Sequence, residues 1–293
     1  MSHKNKVSLV DQVKLALDEK LAIGQSKFLD KSLKQTCDKI YSWETYRNYL
    51  KHNCYFVLWC KDNFKCKTLE QCRLHVDEWL SSRSLLSAYT VKLEAAALAK
   101  LYQCSTKEFI KTRARKRSEI TRSRGEKFRD KHFSEENNQE FVQFCKSTGL
   151  RRSEIKSLTG NKLLLKEGVY YIKVDSGAKG GRYREVPIFG VVESIVSRMK
   201  HCEHEKVWPK VPTGADIHSY RADYATAFYL SKARELHLIP KSDRYYCRKD
   251  RKGLWLDKKA MLATSIALGH NRISIIAEHY LSDLAFGSAK EVM

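Results

Sequence analysis

The sequence is poor in the residues that interrupt helices, with 4 prolines and 13 glycines among its 293 residues. This scarcity argues against a turn-rich all-β architecture and favours long helices. Acidic residues are also in deficit, because 34 Asp and Glu face 55 Lys and Arg, which gives a formal net charge of +21. A chain this basic usually binds a polyanion, since neutralising the phosphates of a nucleic acid releases counterions. An inert basic surface is the alternative interpretation.

Long apolar runs are missing as well. No run approaches the ~18–20 apolar residues of a membrane-spanning helix, and the N-terminus lacks the uninterrupted apolar stretch of a signal peptide. We therefore expect a cytoplasmic protein with no membrane partner.

The nine cysteines form no disulfide framework and lack the short paired spacing of a structural zinc site. An odd number of scattered cysteines is typical of reduced thiols in a cytosolic protein. The densest groups of possible ligands are Cys60, Cys66 and Cys72 with His75, and His201 and Cys202 with His204. Neither group has the spacing that zinc sites prefer, so we predict buried, unreactive cysteines and no metal.

Helical periodicity dominates residues 1–112, which we interpret as an N-terminal helical domain. Helices are predicted over 7–22, over 43–60, from Thr68 and from Ser87, with Thr68 and Gln71 forming a capping box. In the second helix we expect the apolar positions Tyr46, Leu50, Tyr55 and Leu58 to face the core. A charged segment, 113–132, follows and is interpreted as a basic linker.

Residues 133–293 mix helices and strands. A helix ends at Gly149, and strands are predicted over 162–166, 169–174 and 184–188. Helices are expected over 191–199, 219–236, 258–267 and 273–280, with a basic β-hairpin before the third of these. The predicted fold class is mainly α with a small antiparallel β-sheet (α+β).

Four separated pieces of this half offer groups suited to a phosphodiester. TGLRRSE places Arg151 at a helix start, where its guanidinium can bind phosphate oxygens. GAKGGRYREVP places Lys179 on a glycine-rich turn, which is not a Walker A loop because Gly180 follows the lysine. IHSYR puts His218 and Arg221 on one helical face, and the last piece supplies His270 and then Tyr280. Each piece alone is weak, and the order of all four is the signal.

Taken together, these residues resemble the catalytic domain of the tyrosine recombinase (phage integrase) family. The resemblance covers roughly 133–293, and residues 1–112 resemble the family's helical core-binding domain through helix order alone. The matching residues are Arg151, Lys179, His218, Arg221, His270 and the nucleophile Tyr280. Glu154 supports Arg151 within the first of the four sequence pieces, TGLRRSE, which is called the first box below. Arg152 competes with Arg151, which we prefer because it directly follows Gly-Leu.

The sequence departs from the family pattern at two places. His270 and Tyr280 are ten residues apart, where nine is usual, so the helix of the nucleophile must absorb one residue. The segment between Arg221 and His270 is also longer than a minimal member needs, and the excess is the basic hairpin ending near Trp255.

The resemblance implies strand cleavage by transesterification without metal, ATP or any other cofactor. Tyr280 would attack the scissile phosphate and form a 3′-phosphotyrosine. His218 would accept the tyrosine proton, Lys179 would protonate the leaving 5′-oxygen, and His270 would donate to the phosphate. Arg151 and Arg221 would bind the non-bridging oxygens.

The implied partner is double-stranded DNA at a specific recombination site, clamped between the two domains. The family implies a homotetramer on two DNA sites, a monomer or weak dimer off DNA, and a nucleoid-associated location when bound; an accessory directionality factor is an open question. Candidate DNA contacts in the linker, turn and hairpin are Arg115, Lys116, Arg117, Arg122, Arg124, Arg182, Arg248, Lys249, Arg251 and Lys252.

We expect a site-specific recombinase or integrase that integrates or excises a mobile element. A type IB topoisomerase-like enzyme and an inactive DNA-binding protein of the same fold are the alternatives. The sequence leaves open the target site, cis or trans cleavage, and a phage, conjugative-element or housekeeping role.

Overall fold

The computed structural model of the chain describes residues 7–33, 38–115, 133–175, 183–248, 251–270 and 272–281. The chain divides into two compact units, Met1–Ile120 and Thr121–Met293. This division falls inside the predicted linker 113–132, of which residues 116–132 lie outside the described part. In the described residues, no helix is long and apolar enough to cross a membrane.

The described part of the N-terminal unit is helical. Its α-helices are α1 (Leu9–Asp18), α2 (Lys27–Ser32), α3 (Trp43–Phe64), α4 (Leu69–Arg73), α5 (Val76–Ser82) and α6 (Ala88–Leu101). The side chains of Ser42 and Ser87 cap α3 and α6, and Thr68 forms the predicted capping box with Gln71. The helix predicted from Thr68 ends at Arg73, because the chain turns at Leu74 before α5 begins.

The buried face of α3 differs from the predicted one. Phe56, Val57 and Cys60 are fully buried and pack in a core with α1 and α6. Tyr55 and Leu58, which were expected to face the core, are 46% and 42% exposed. The prediction is confirmed for Tyr46, which is buried, and for Leu50, which packs against the core. It was wrong for Tyr55 and Leu58, because α3 carries apolar residues on more than one face and only packing against α1 and α6 selects between them.

The C-terminal unit combines helices with two small antiparallel sheets, which confirms the predicted fold class. Its α-helices are α7 (Gln139–Thr148), α8 (Arg152–Ser157), α9 (Val192–Cys202), α10 (Ile217–Lys232) and α11 (Lys258–Ala267). The three-stranded sheet has the order β1 (Leu163–Lys166), β2 (Val169–Val174), β3 (Arg184–Pro187). Ile172 pairs with Val186 in the β2–β3 register, and both side chains are buried in the core.

Helix α10 lies at the centre of this unit, where it packs against α7, α11 and the segment that carries Tyr280. It buries Tyr220, Arg221 and Tyr224, so one helix supplies both core rings and a catalytic candidate. The helix begins two residues before the predicted start and ends at Lys232 rather than 236, because Ala233 adopts extended backbone.

The predicted basic hairpin is present as β4 (Arg244–Tyr246) and β5 (Trp255–Asp257). Asp257 is fully buried and accepts hydrogen bonds from the Arg234 guanidinium, which follows α10. Its side chain also caps α11. The base of the hairpin is therefore tied to two helices of the core.

The segment predicted as a helix over 273–280 ends in a π-helix, Ile276–Tyr280. A π turn closes its hydrogen bonds five residues apart instead of four. The Leu281 N–H accordingly donates to the Ile276 carbonyl at 3.1 Å. The π turn lies within the ten residues that lead from His270 to Tyr280.

Candidate active site

Arg151 occupies the N-cap position of α8, where its backbone is extended. Its N–H donates to Glu154 Oε2 at 2.7 Å and its Nη1 donates to Glu154 Oε1 at 2.8 Å. Its Nη2 donates to the Leu268 carbonyl at 3.2 Å. The guanidinium is thus fixed from two sides while its side chain stays 22% exposed, which leaves it accessible to a ligand.

Glu154 is a buried carboxylate shared between two arginines. Arg184 donates to it through Nη1 at 2.9 Å and Nη2 at 2.7 Å, in addition to the bonds from Arg151. Burial alone raises the pKa of Glu154, but the hydrogen bonds and charge of Arg184, joined by those of Arg151, lower the pKa to about 2. The carboxylate is therefore ionised at pH 7 and orients Arg151.

Arg184 is a site residue that the sequence analysis missed. It sits on β3 with its side chain 6% exposed, and its Nε donates to the Ala267 carbonyl at 3.0 Å. The signal was present in the sequence, since Arg184 shares the inward face of its strand with the buried Val186. A charge at such a position requires a partner, and Glu154 is that partner.

Arg221 is 2% exposed and bonded through each of its three nitrogens. Nη1 donates to the Gly149 carbonyl, Nη2 to the Leu268 carbonyl, and Nε to Tyr280 Oη at 3.1 Å. Burial, followed by the charge of Arg151, lowers the pKa of Arg221 to about 10, so it remains a cation at pH 7. A guanidinium has five N–H donors, which leaves donors for a phosphate.

The Tyr280 hydroxyl lies between this arginine and a histidine. His270 Nε2 is 3.1 Å from Tyr280 Oη. Burial, and then the positive charges of Arg221 and Arg151, lower the pKa of His270 to about 4, so its ring is neutral at pH 7. Arg221 Nε can only donate to the hydroxyl oxygen, and in the tautomer that carries its proton on Nδ1 His270 Nε2 can accept the hydroxyl proton.

Five of the six predicted catalytic residues line one pocket of about 830 Å³: Arg151, His218, Arg221, His270 and Tyr280. The exposed His218 contributes a ring whose centroid is 5.8 Å from that of Tyr280. Among the remaining lining residues, Arg272 and His279 add further polar groups that the sequence analysis did not single out. The pocket is therefore rich in cationic and polar side chains.

The sixth residue, Lys179, lies outside the described residues, on the connection between β2 and β3. Six of the predicted DNA contacts also lie outside the described residues, namely Lys116, Arg117, Arg122, Arg124, Arg182 and Lys249. Arg115, Arg248 and Lys252 are exposed, whereas Arg251 turns inward and donates to the Ala277 carbonyl at 3.0 Å.

Arg152 lines the same pocket, but its guanidinium forms hydrogen bonds with a different set of atoms. Its guanidinium donates to the carbonyls of Pro212, Thr213 and Ala215, in the loop that leads into α10. These bonds hold the start of the helix that carries His218 and Arg221.

Two glycines, Gly149 and Gly269, have positive φ and lie at or next to the backbone carbonyls that bind Arg221. Gly149 has φ +56°, and a Cβ there would lie 2.4 Å from the Tyr224 ring. Gly269 has φ +67°, and a Cβ there would lie 2.8 Å from Arg184 Cδ. Positive φ and close contact together restrict both positions to glycine.

No family model matches the chain, and no curated protein matches it. Among solved structures, the XerH site-specific recombinase bound to palindromic difH substrate in a post-cleavage complex has a TM-score of 0.51 at 16% identity, covering 94% of both chains. The pre-cleavage complex of XerH with difH gives 0.51 and 16%, covering 95% of both. The Tn1549 transposon integrase in complex with transposon right-end DNA gives 0.43 and 12%, covering 93% of this chain and 94% of that one.

The XerH comparison confirms the resemblance to tyrosine recombinases at the level of the fold. It extends over almost the whole chain, including the N-terminal residues that the sequence matched through helix order alone.

Proposed function

We propose that this protein is a site-specific DNA recombinase that cuts and rejoins DNA through a covalent 3′-phosphotyrosine at Tyr280. The observation that supports this most directly is the position of Tyr280 Oη, 3.1 Å from both His270 Nε2 and Arg221 Nε, in a pocket shared with Arg151 and His218. A nucleophile, a neutral base and two cations are the groups that phosphoryl transfer without a metal requires.

In the proposed cleavage step, Tyr280 Oη forms a bond to the scissile phosphorus while the bond from phosphorus to the 5′-oxygen breaks. The hydroxyl proton passes to a histidine, and Lys179 protonates the departing 5′-oxygen. Because the phosphodiester energy is kept in the phosphotyrosine, the 5′-hydroxyl of a second strand can reverse the step without ATP.

The two pocket arginines would stabilise the charge that develops on the non-bridging oxygens. Arg221 is held by backbone carbonyls and Arg151 by Glu154, so neither needs to be ordered when the phosphate arrives. Preorganised donors of this kind typically contribute about 2.7–4 kcal/mol each to lowering a barrier.

His270 is proposed as the first acceptor of the Tyr280 proton, a role that the sequence analysis gave to His218. His270 Nε2 lies 3.1 Å from the hydroxyl oxygen, and the centroid of the His218 ring lies 5.8 Å from that of Tyr280. The lowered pKa of His270 leaves it neutral and able to accept. His218, exposed in the same pocket, then takes the role of donor to the phosphate.

We further propose that the protein binds duplex DNA at a specific site, as the XerH structures show for XerH with difH. The exposed Arg115, Arg248 and Lys252 are suited to phosphate contacts, which add affinity rather than sequence preference. A homotetramer on two sites, a monomer or weak dimer off DNA, a cytoplasmic location and integration or excision of a mobile element complete the proposal.

The test is a search for a covalent adduct with DNA that flanks the protein's own coding sequence, since integrases of mobile elements often act there. The protein is mixed with this DNA and denatured with detergent. We expect an adduct with wild type and with the control Tyr170→Phe, whose half-buried ring lies on β2, and none with Tyr280→Phe.

The other outcomes are distinct. An adduct that persists in Tyr280→Phe would move the nucleophile to another residue. Specific binding with no adduct in wild type would favour an inactive DNA-binding protein. Relaxation of supercoiled plasmid without any site requirement would favour a type IB topoisomerase.

A further inference from the structure

The two places where the chain departs from the family pattern meet at one hydrogen bond. The ten-residue interval from His270 to Tyr280, one longer than the family pattern implies, ends in the π turn Ile276–Tyr280. The extra segment between Arg221 and His270 contains the basic hairpin, and its Arg251 Nη1 donates to the carbonyl of Ala277 in that turn at 3.0 Å.

The π turn changes which backbone groups are paired. In an α-helix the Leu281 N–H would donate four residues back, to the Ala277 carbonyl. Here it donates five residues back, to Ile276, at 3.1 Å. The Leu281 N–H therefore does not pair with the Ala277 carbonyl, which belongs to a residue that is 4% exposed. Among the described residues, Arg251 Nη1 donates to this carbonyl.

This bond bears directly on the position of the nucleophile. Each residue of an α-helix rotates the side chain by about 100°, so an uncorrected insertion would turn Tyr280 away from the pocket. With the π turn in place, Tyr280 Oη lies 3.1 Å from His270 Nε2 and from Arg221 Nε.

The hairpin is a firm anchor for this contact. Cys247 and Leu256 are buried in the core of the unit, and the Cys247 N–H donates to the Leu254 carbonyl at 2.8 Å. Near the tip, Arg248 and Lys252 are exposed, whereas Arg251 is partly buried and directed at Ala277. Among the described residues of this turn, Arg248 and Lys252 face solvent and Arg251 faces the segment of the nucleophile.

We propose that Arg251 is a positioning residue, through which the basic hairpin holds the π turn that aims Tyr280 at the scissile phosphate. The proposal rests on the proposed function for its catalytic consequence, but the structural bond itself is independent of DNA. It gives the hairpin a second role besides phosphate contact, since a DNA backbone bound at the tip would act on the segment of the nucleophile through Arg251.

The test compares Arg251→Met and Arg251→Lys with Lys241→Met, an exposed site before β4 that loses the same charge. The first readout is hydrogen exchange at the Leu281 amide in the free, full-length chain. Loss of the Arg251–Ala277 bond, whose donor is charged, should let the neighbouring Leu281–Ile276 bond open about 10- to 100-fold more often. We expect exchange faster by that factor in Arg251→Met, partial rescue in Arg251→Lys, and the wild-type rate in Lys241→Met.

The second readout is adduct formation in a single turnover at saturating DNA, alongside the Kd. We expect Arg251→Met to slow adduct formation at least about tenfold, to change the Kd no more than Lys241→Met does, and to be partly rescued by Arg251→Lys. Exchange at Leu281 that matches Lys241→Met would overturn the proposal, as would an effect confined to the Kd. If exchange changes as expected but wild type forms no adduct, the proposed function has failed and the anchor stands.

Discussion

Removing the charge of Glu154 tests the organisation of the site most sharply. The pKa of this carboxyl is lowered from 4.5 to about 2. At ~1.4 kcal/mol for each tenfold change in proton affinity, the ionised carboxylate contributes about 3 kcal/mol to folding. Glu154→Gln keeps the shape but leaves Arg184, 6% exposed, without its counterion. We therefore expect the free energy of unfolding to fall by about 3–5 kcal/mol at pH 7.

The sign of the pH dependence follows from the same pKa. Because the folded-state pKa lies below the unfolded one, the stabilisation is complete above about pH 4.5 and is lost as the pH falls toward 2. Wild type should lose stability over that range, and Glu154→Gln should lose about 3 kcal/mol less.

The measurement is hydrogen exchange in increasing urea, read on peptides of the C-terminal unit so that the N-terminal unit does not interfere. Glu140→Gln is the matched control, because Glu140 pairs with Arg198 at the surface and is 61% exposed. Its loss should cost at most about 0.5 kcal/mol. If Glu154→Gln stays within about 1 kcal/mol of that control, or keeps the full acid-induced loss, the buried carboxylate does not organise the arginines.

Further predictions concern individual side chains of the pocket. Arg151→Ala should slow adduct formation about 10²–10³-fold. Arg152→Ala removes bonds to loop carbonyls and should mainly lower the free energy of unfolding, by about 1–3 kcal/mol. If Arg152→Ala slowed cleavage more than Arg151→Ala, Arg152 would be the catalytic arginine of the first box. Gly269→Ala should destabilise the C-terminal unit by at least about 1 kcal/mol in urea unfolding, because φ is +67° and the Cβ meets Arg184; a neutral result would show that the arginine can move aside. The second-order rate constant for adduct formation reports the free enzyme, so it should stay level from pH 7 to 5 and fall as the pH drops through about 4, where His270 becomes protonated; a half-fall near pH 6.5 would assign the base to another histidine. Excess EDTA should leave the rate unchanged, and a strict requirement for divalent metal would contradict the mechanism.

Much of the fold could be predicted from local pattern. Ser87 caps α6 as expected, and alternation along β2 and β3 places Ile172 and Val186 on the buried face. These features depend on neighbours in sequence, so periodicity and capping chemistry determine them. The buried face of α3 was predicted wrongly at Tyr55 and Leu58, because the choice between several apolar faces depends on packing against distant helices.

The candidate site also combines features that the local sequence predicted with contacts between distant segments that it did not predict. The order of the boxes identified the residues of the pocket, but contacts between distant segments lay beyond reach of the sequence. Arg184 reaches Glu154 across 30 residues and Arg251 reaches Ala277 across 26 residues. The spacing of His270 and Tyr280 predicted that the helix has to absorb one residue, but helix propensity does not indicate where a π turn forms. Residue roles beyond this geometry, Lys179 included, stay predictions.

The carbonyls at the end of α11 have a consequence for how this site tolerates sequence change. The Leu268 carbonyl accepts from both Arg151 and Arg221, and the Ala267 carbonyl accepts from Arg184. These acceptors belong to the main chain, at the negative end of a helix dipole, so no side chain at 267 or 268 is needed to provide them. Substitutions there that keep the backbone path should leave the three guanidiniums in place. The backbone path itself depends on the positive φ of Gly269. The positions of all three arginines therefore depend on this one glycine.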